Sequence, residues 1–420
     1  MTAAPLAGIR VVEITTAWAG PMAGRILAYF GADVTQVESP TRTNSWRQNK
    51  GRPNPVNYPG LEPGERHYDR SFLFNSQNVG KRSLVVDLKV AEGLGAVRRL
   101  ISQSDVLLCN FRAGMLQRLG LDYETLRKTN PGIIVAEMPA YGLRGPHAGY
   151  AALGPTMEMA AGMSAMIAYP GGTPTVTGPS YLDPIGGFNA AAAIMTALVH
   201  RQATGEGQHV EISQVEAAMQ FIGPELLAAA DSGFDPEPDG NHVEHAAPQN
   251  CYPARGNDER IVIAAEDDEQ WQKLCRVLER PDLAADPELA SLVGRKRQED
   301  RIDAVIANWT AAHDKHELAE LLQEAGVAAA PVNTPRDVAA SPYLNARGFF
   351  VELDHPDTGS HRYPGLPFHL EKTPGACCTA APIFGADNHH LLREVLGMGE
   401  AEFVELQSKR AIADAPDRDA

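Results

Sequence analysis

The chain has 420 residues, 44% of them hydrophobic and 21% charged, an ordinary globular composition with room for about two to three domains. Its 53 acidic residues outnumber 37 basic ones, the net charge is −16, and no Lys/Arg run makes a cationic stripe, which argues against nucleic acid as a partner. No charged segment with an apolar core opens the chain and no run of about eighteen apolar residues occurs, so a cytoplasmic protein away from the membrane is expected.

Residues 9–14 form a β-branched run, 22–30 a helical stretch and 32–37 a second strand ending at Glu38, together a βαβ unit. Alternation continues with a strand at 83–87, a helix at 91–102, a strand at 106–109, a short helix at 123–128 and a strand at 133–138. This pattern predicts a Rossmann-like α/β large domain with a largely parallel sheet, whose ligands gather at the carboxyl ends of the strands. Residues 188–199 are Ala-rich and apolar almost all round, as in a buried helix; a strand at 209–212 and a helix at 214–229 follow. Composition then changes. Residues 231–249 are rich in Asp, Gly, Pro and His and read as a linker or functional loop, and a strand at 260–265 with helices at 270–279, 301–311 and 316–325 predicts a smaller α+β domain. The resulting boundaries are 1–229, 230–330 and 331–420. The last segment, with short strands at 349–353 and 361–366 and a helix at 389–396, is expected to return to the large domain, and the final ten residues to be disordered.

Several familiar chemistries lack their residues. The first strand is followed by Thr15-Thr-Ala-Trp-Ala-Gly-Pro21 rather than a glycine fingerprint, so Glu38 is not backed by a dinucleotide site. Gly162-Met-Ser-Ala-Met166 lacks the final glycine of a nucleophile elbow. His242 and His245 lie in a polar loop without a third ligand nearby, and the five cysteines (Cys109, Cys251, Cys275, Cys377, Cys378) form no Cys-x-x-Cys pair, so reduced thiols and no metal are expected. Asp183, in Ser-Tyr-Leu-Asp-Pro-Ile-Gly-Gly (180–187) just before the apolar helix, reads either as a cap that satisfies free N–H groups or as a nucleophile, in both cases an anion favoured by the helix dipole. Asn110, Phe111 and Arg112 follow a strand, Arg118 lies slightly beyond, and Lys81, Arg82 and Lys89 flank another. If these cations converge, they suit a phosphorylated nucleotide with Phe111 as an apolar surface.

The ordered series Leu6-Ala-Gly-Ile-Arg-Val-Val-Glu13, Ala19-Gly-Pro21, Gly31-Ala-Asp-Val-Thr-Gln-Val-Glu38, Gly80-Lys-Arg-Ser-Leu84, Asp87-Leu-Lys89, Asn110-Phe111, Gly142 and Thr204-Gly-Glu-Gly-Gln208 resembles the family III CoA-transferases of the formyl-CoA:oxalate and carnitine type. The resemblance extends through Ala325-Gly-Val-Ala-Ala-Ala-Pro-Val332. It implies that Asp183 is the nucleophile, passing CoA from an acyl-CoA to a carboxylic acid through an aspartyl-CoA thioester. It implies a CoA site at Trp18 and Ala19, at Val86, Asp87, Leu88 and Lys89, and at Asn110, Phe111, Arg112 and Arg118. CoA is then a substrate, no tightly bound cofactor is implied, and the assembly is an interlocked homodimer. Trp18 stands where several members carry glutamine and suggests an apolar acyl pocket. Glu158, at a place often held by glutamine, is either a polar partner of the substrate or a plain helix residue. The α-methylacyl-CoA racemases share the implied fold but need a histidine about where this chain has Leu153, with His147 a poor substitute; a noncatalytic acyl-CoA-binding subunit is a third reading.

Overall fold

Val11-Val12, Leu107-Leu108 and Ile134-Val135 show no polar alternation, the pattern of strands covered on both faces. The computed structural model describes residues 4–47, 53–234, 237–376 and 379–417. In it these runs lie at the centre of a sheet made of β1 (Arg10–Ile14), β2 (Asp33–Glu38), β3 (Lys81–Val85), β4 (Val106–Cys109), β5 (Ile134–Glu137) and β6 (His209–Glu211). The order is β3-β2-β1-β4-β5-β6 and every neighbouring pair is parallel. Strand order reverses between β1 and β4, where a doubly wound sheet opens a crevice at its carboxyl edge.

One face of the sheet is covered by the helix Ala91–Ser102 and by Leu391, Leu392, Leu406 and Ile412 near the C-terminus. The first helix, Ala19–Tyr29, and a long helix, Leu182–Thr204, cover the other. Full burial of a side chain such as Leu27, Leu107 or Leu108 contributes about 1.5–3 kcal/mol, so both layers are held chiefly by apolar packing. Crossover helices run against the strands of a parallel sheet, so both of these helices begin at the carboxyl edge.

The long helix starts six residues before the predicted stretch. Pro184 is accommodated because a first-turn residue has no intrahelical N–H bond to lose. Gly186 and Gly187 do not break the helix; they allow close approach. A Cβ on Gly187 would lie 2.6 Å from Met22 Cβ and 2.8 Å from the Ala19 carbonyl oxygen, and one on Gly186 would lie 2.8 Å from Gln214 Oε1. This helix is long and apolar enough, by length and composition, to cross a membrane, which the sequence reading did not anticipate. Ala190, Ala191, Ile194 and Ala197 are buried in the sheet core, and the helix serves as the crossover into β6.

The chain forms two compact units. The larger takes the stretches up to Met163, Val176–Gly233 and from Ala346 onward; the smaller takes Ser164–Thr175 and Phe234–Asn345. The smaller unit thus ends at Asn345 rather than 330 and includes a stretch assigned from sequence to the larger. It holds an antiparallel sheet of β7 (Gln249–Pro253), β8 (Arg260–Ala264) and β9 (Ala328–Pro331), packed through Ile261 and Ile263 on Trp271, Ile302, Leu318 and Leu322. In the larger unit β10 (Phe350–His355) and β11 (Gly359–Pro364) form a hairpin. Residues 411–417 are ordered, against expectation: Asp87 N–H donates to Ala411 O at 2.8 Å and Asp417 N–H to Pro40 O at 3.0 Å. Residues 418–420 and the Cys377-Cys378 pair lie outside the described residues.

Glu38 is committed to the fold. Arg47, fully buried, donates to both Glu38 oxygens at 2.7 and 2.8 Å and to Asp69 Oδ1 at 2.9 Å, with its guanidinium 3.5 Å from the Phe74 ring centroid. A second buried pair joins Lys81 to Glu13 at 2.7 Å, and Lys81 also donates to the Pro21 carbonyl at 2.9 Å. The first pair ties the chain after β2 to the end of that strand, and the second joins β1, the start of β3 and the first helix.

Candidate active site

Asp183 is delivered by a tight turn. Ser180 has a left-handed backbone (φ 55°), and Asp183 N–H donates to Ser180 O at 3.0 Å, which makes Asp183 the second residue of the long helix. Its side chain is 8% exposed, so the carboxylate has little water. It is not a cap: no side chain caps this helix, and among the described residues no donor is found on its carboxylate. Burial pushes the Asp183 carboxyl up to about 6. The sequence expectation of a stabilised anion is thereby reversed. By helix geometry the N–H groups of Gly186 and Gly187 point to the preceding turn, leaving only first-turn N–H groups to face a reacting oxygen.

Asp183 and Gly187 are four residues apart and share a helix face. Since Gly187 packs on Ala19 and Met22, Asp183 stands one turn further on, beside the start of the first helix. Trp18 occupies the N-cap position there. Its ring is 5.2 Å from that of Trp46 at 44°, and its indole N–H is buried without an acceptor among the described residues. Trp18 and Ala19 therefore share the carboxyl edge with Asp183.

Glu158 lies fully buried in the helix Gly154–Ala160, where its carboxylate accepts from Thr177 N–H at 2.7 Å and from Thr177 Oγ1 at 3.2 Å. Gly154 meets the same strand of chain: a Cβ there would lie 2.5 Å from Ser180 Cβ. Glu158 thus fastens the segment that leads into Asp183.

The remaining residues expected around CoA separate by role. Val86 is fully buried, donates its N–H to Glu38 O at 2.8 Å and bridges to Ile412. Asp87 is buried and accepts the Lys89 N–H at 2.9 Å, which closes a turn. Leu88 and Phe111 lie half-buried at the margin of one apolar cluster. Lys89, Arg112 and Arg118 are exposed, and none has an ion-pair partner among the described residues. Lys81 and Arg82 are spent, the first on Glu13 and the second on Asp33 at 2.9 Å. The Asn110 side chain is engaged by the backbone: its Oδ1 accepts Thr16 N–H at 2.9 Å and its Nδ2 donates to Thr16 O at 2.8 Å. Asn44 and Trp46 were missed in the sequence because the stretch after β2 has no periodicity.

No group of three or more His, Cys, Asp or Glu able to hold a metal occurs among the described residues. His242 instead meets Asp303 at 3.1 Å. His147 is exposed and stacked on Tyr150 at 4.5 Å, and Leu153 is 74% exposed.

A parallel sheet of this order, with a crevice where the strand order reverses and a buried carboxylate at its carboxyl edge, belongs to the doubly wound α/β class, whose members bind ligands at that edge. The model of CoA-transferase family III matches residues 6–388, and the chain belongs to that family and is a CoA-transferase. It is 31% identical over 408 residues to succinyl-CoA–D-citramalate CoA-transferase of Chloroflexus aurantiacus, covering 97% of this chain and 98% of that one. It is 30% identical to succinate–glutarate CoA-transferase of Agrobacterium fabrum, covering 93% and 96% of the two. The crystal structure of a CAIB/BAIF family protein from Brucella suis superposes with a TM-score of 0.83 at 29% identity, over 93% of this chain and 99% of that one.

Proposed function

We propose that Asp183 is the covalent nucleophile of a transfer in which CoA passes from an acyl-CoA thioester to a carboxylic acid. The observation that carries this reading is the Asp183 carboxylate itself: buried, without a donor among the described residues, and raised to about 6 while Glu38 and Glu158, also buried, are bonded. Poor solvation makes a carboxylate more reactive, and at neutral pH this one is mostly ionised. An Asp183 oxygen attacks the thioester carbonyl carbon, the C–S bond breaks, and a mixed anhydride and CoA thiolate result. The thiolate attacks the Asp183 carbonyl and expels the first acid, leaving aspartyl-CoA. The acceptor carboxylate attacks that thioester, releasing thiolate and forming a second anhydride. Thiolate attack on the acceptor's acyl carbon then yields the new acyl-CoA and restores Asp183. Each step exchanges one acyl bond for another, so no proton, electron or nucleotide is consumed.

In this reading CoA lies along the carboxyl edge. Lys89, Arg112 and Arg118 face its phosphates, Leu88 and Phe111 its nucleoside, the Val86–Asp87 backbone its chain, and Trp18 and Ala19 the thioester. Trp18 with Trp46 gives the acyl group an aromatic wall, while Glu158 holds the Asp183 turn from behind. Cys109, Cys251 and Cys275 are free thiols, which suits a cytoplasmic protein. The test crosses succinyl-CoA and other acyl-CoA donors with citramalate, glutarate and further carboxylates, read by mass spectrometry. CoA transfer that needs both substrates supports the reading; exchange of α-deuterium without an acceptor acid replaces it with an isomerase, and CoA binding without turnover replaces it with a binding subunit.

A further inference from the structure

Ala17 has a left-handed backbone, φ 58°, a conformation that the Cβ of an L-residue makes unfavourable and that persists only where the surroundings impose it. The surroundings that impose it are two side-chain amides. Asn110 follows β4 immediately, next to the residues that follow β1, since Ile14 and Cys109 are register partners. Its amide holds both backbone groups of Thr16, as a further residue of strand would. Asn44 is buried, and its Oδ1 accepts the N–H of Ala17 at 3.1 Å and that of Trp46 at 3.0 Å. One oxygen thus fixes the strained residue and the backbone of the second tryptophan. The first helix is fitted closely to the same clamp: a Cβ on Gly20 would lie 3.0 Å from Asn110 Cγ and 2.5 Å from Thr15 Cγ2.

We propose, resting on the assignment of Asp183 above, that Asn110 and Asn44 are positioning residues for the transfer. They lock the Thr16-Ala17 turn so that Trp18 and the start of the first helix stand beside Asp183. Asn110 then acts through Thr16 and not through CoA. A misplacement of reacting groups lowers turnover without weakening a ligand held elsewhere, and this separates a clamp from a CoA contact.

The experiment compares Asn110→Ala, Asn110→Asp, Asn44→Ala and Asn44→Ala/Ala17→Gly with wild type, using succinyl-CoA turnover, calorimetric binding of free CoA, and near-ultraviolet circular dichroism of the Trp18–Trp46 pair. Asn110→Ala is expected to lower kcat by about tenfold to a hundredfold while KM for succinyl-CoA and Kd for CoA stay within about threefold. The tryptophan signal should change in the same variant. Asn110→Asp keeps the acceptor for Thr16 N–H and loses the donor, so it should fall between the two, and it provides the same comparison if the alanine variant does not fold. Ala17→Gly should recover most of the activity lost in Asn44→Ala, because glycine adopts this backbone without steric cost. Weaker CoA binding with kcat and the tryptophan signal retained would overturn the proposal, as would no recovery from Ala17→Gly. The binding and dichroism measurements need no turnover, so they decide the clamp even if wild type transfers CoA between no pair of acids.

Discussion

A carboxylate buried without a donor weighs on the fold whenever it is charged. The folded-state value of about 6 for Asp183 lies above the ordinary 3.8, so the stability associated with its protonated form is fully present below about pH 4 and is lost as pH rises through about 6. Asp183→Asn removes that penalty. The variant is expected to be more stable than wild type at pH 8, by up to about 3 kcal/mol, with the difference vanishing near pH 3; urea titrations at the two pH values read it. Its transfer activity should drop by about 10⁴-fold, since an amide cannot form the anhydride. In wild type, kcat/KM should rise with pH through about 6 and then level off, the profile of a group of the free enzyme that acts ionised. A flat kcat/KM between pH 5 and pH 8 would detach the step from this carboxyl. The sequence made Asp183 conspicuous by its place before an apolar run. That no donor reaches it among the described residues was not legible, because this depends on which loops surround it.

The two helices that begin at the carboxyl edge are held together by absent side chains. Gly187→Val would force a Cβ to within 2.6 Å of Met22 Cβ and 2.8 Å of a backbone carbonyl, and the carbonyl cannot rotate away. We expect a loss of about 1–3 kcal/mol by urea denaturation, together with a lower kcat as the Asp183 end of the helix shifts from Ala19. The same replacement at Gly95, where a Cβ meets nothing within 4 Å, should leave kcat unchanged. Here too sequence and structure part company for a physical reason. Pro184 and the Gly186-Gly187 pair are ordinary turn signals, yet contact with the first helix makes them helical. The strands were easier: apolar runs such as Val106–Cys109 have few alternatives in an α/β chain. The Ala-rich strand β9 carries no such signal and forms because β8 lies beside it.

On the larger unit Tyr181, just before the long helix, Phe188 and Val199 on it, and Leu226 and Leu227 on the helix Gly223–Ser232 are all more than two-fifths exposed. Such surface is costly in water and fits the homodimer that the family resemblance implied. Light scattering should give twice the chain mass, and an interlocked pair should remain dimeric on dilution to nanomolar concentration; a monomer at micromolar concentration would contradict it. Composition made a globular α/β protein legible at this scale. The return of the C-terminal segment was legible only as a direction, since its bonds to β3 pair the Asp387 and Asn388 side chains with the backbone N–H groups of Ser83 and Val85, which carry no residue signature.

If Asp183 is the nucleophile, the chain itself becomes acylated during turnover. Wild type and Asp183→Asn are to be incubated with succinyl-CoA and hydroxylamine, digested, and the peptide spanning Asp183 analysed by mass spectrometry. An aspartyl hydroxamate is expected at Asp183 in wild type and none in the variant. An unmodified Asp183 under conditions in which wild type transfers CoA would contradict that role.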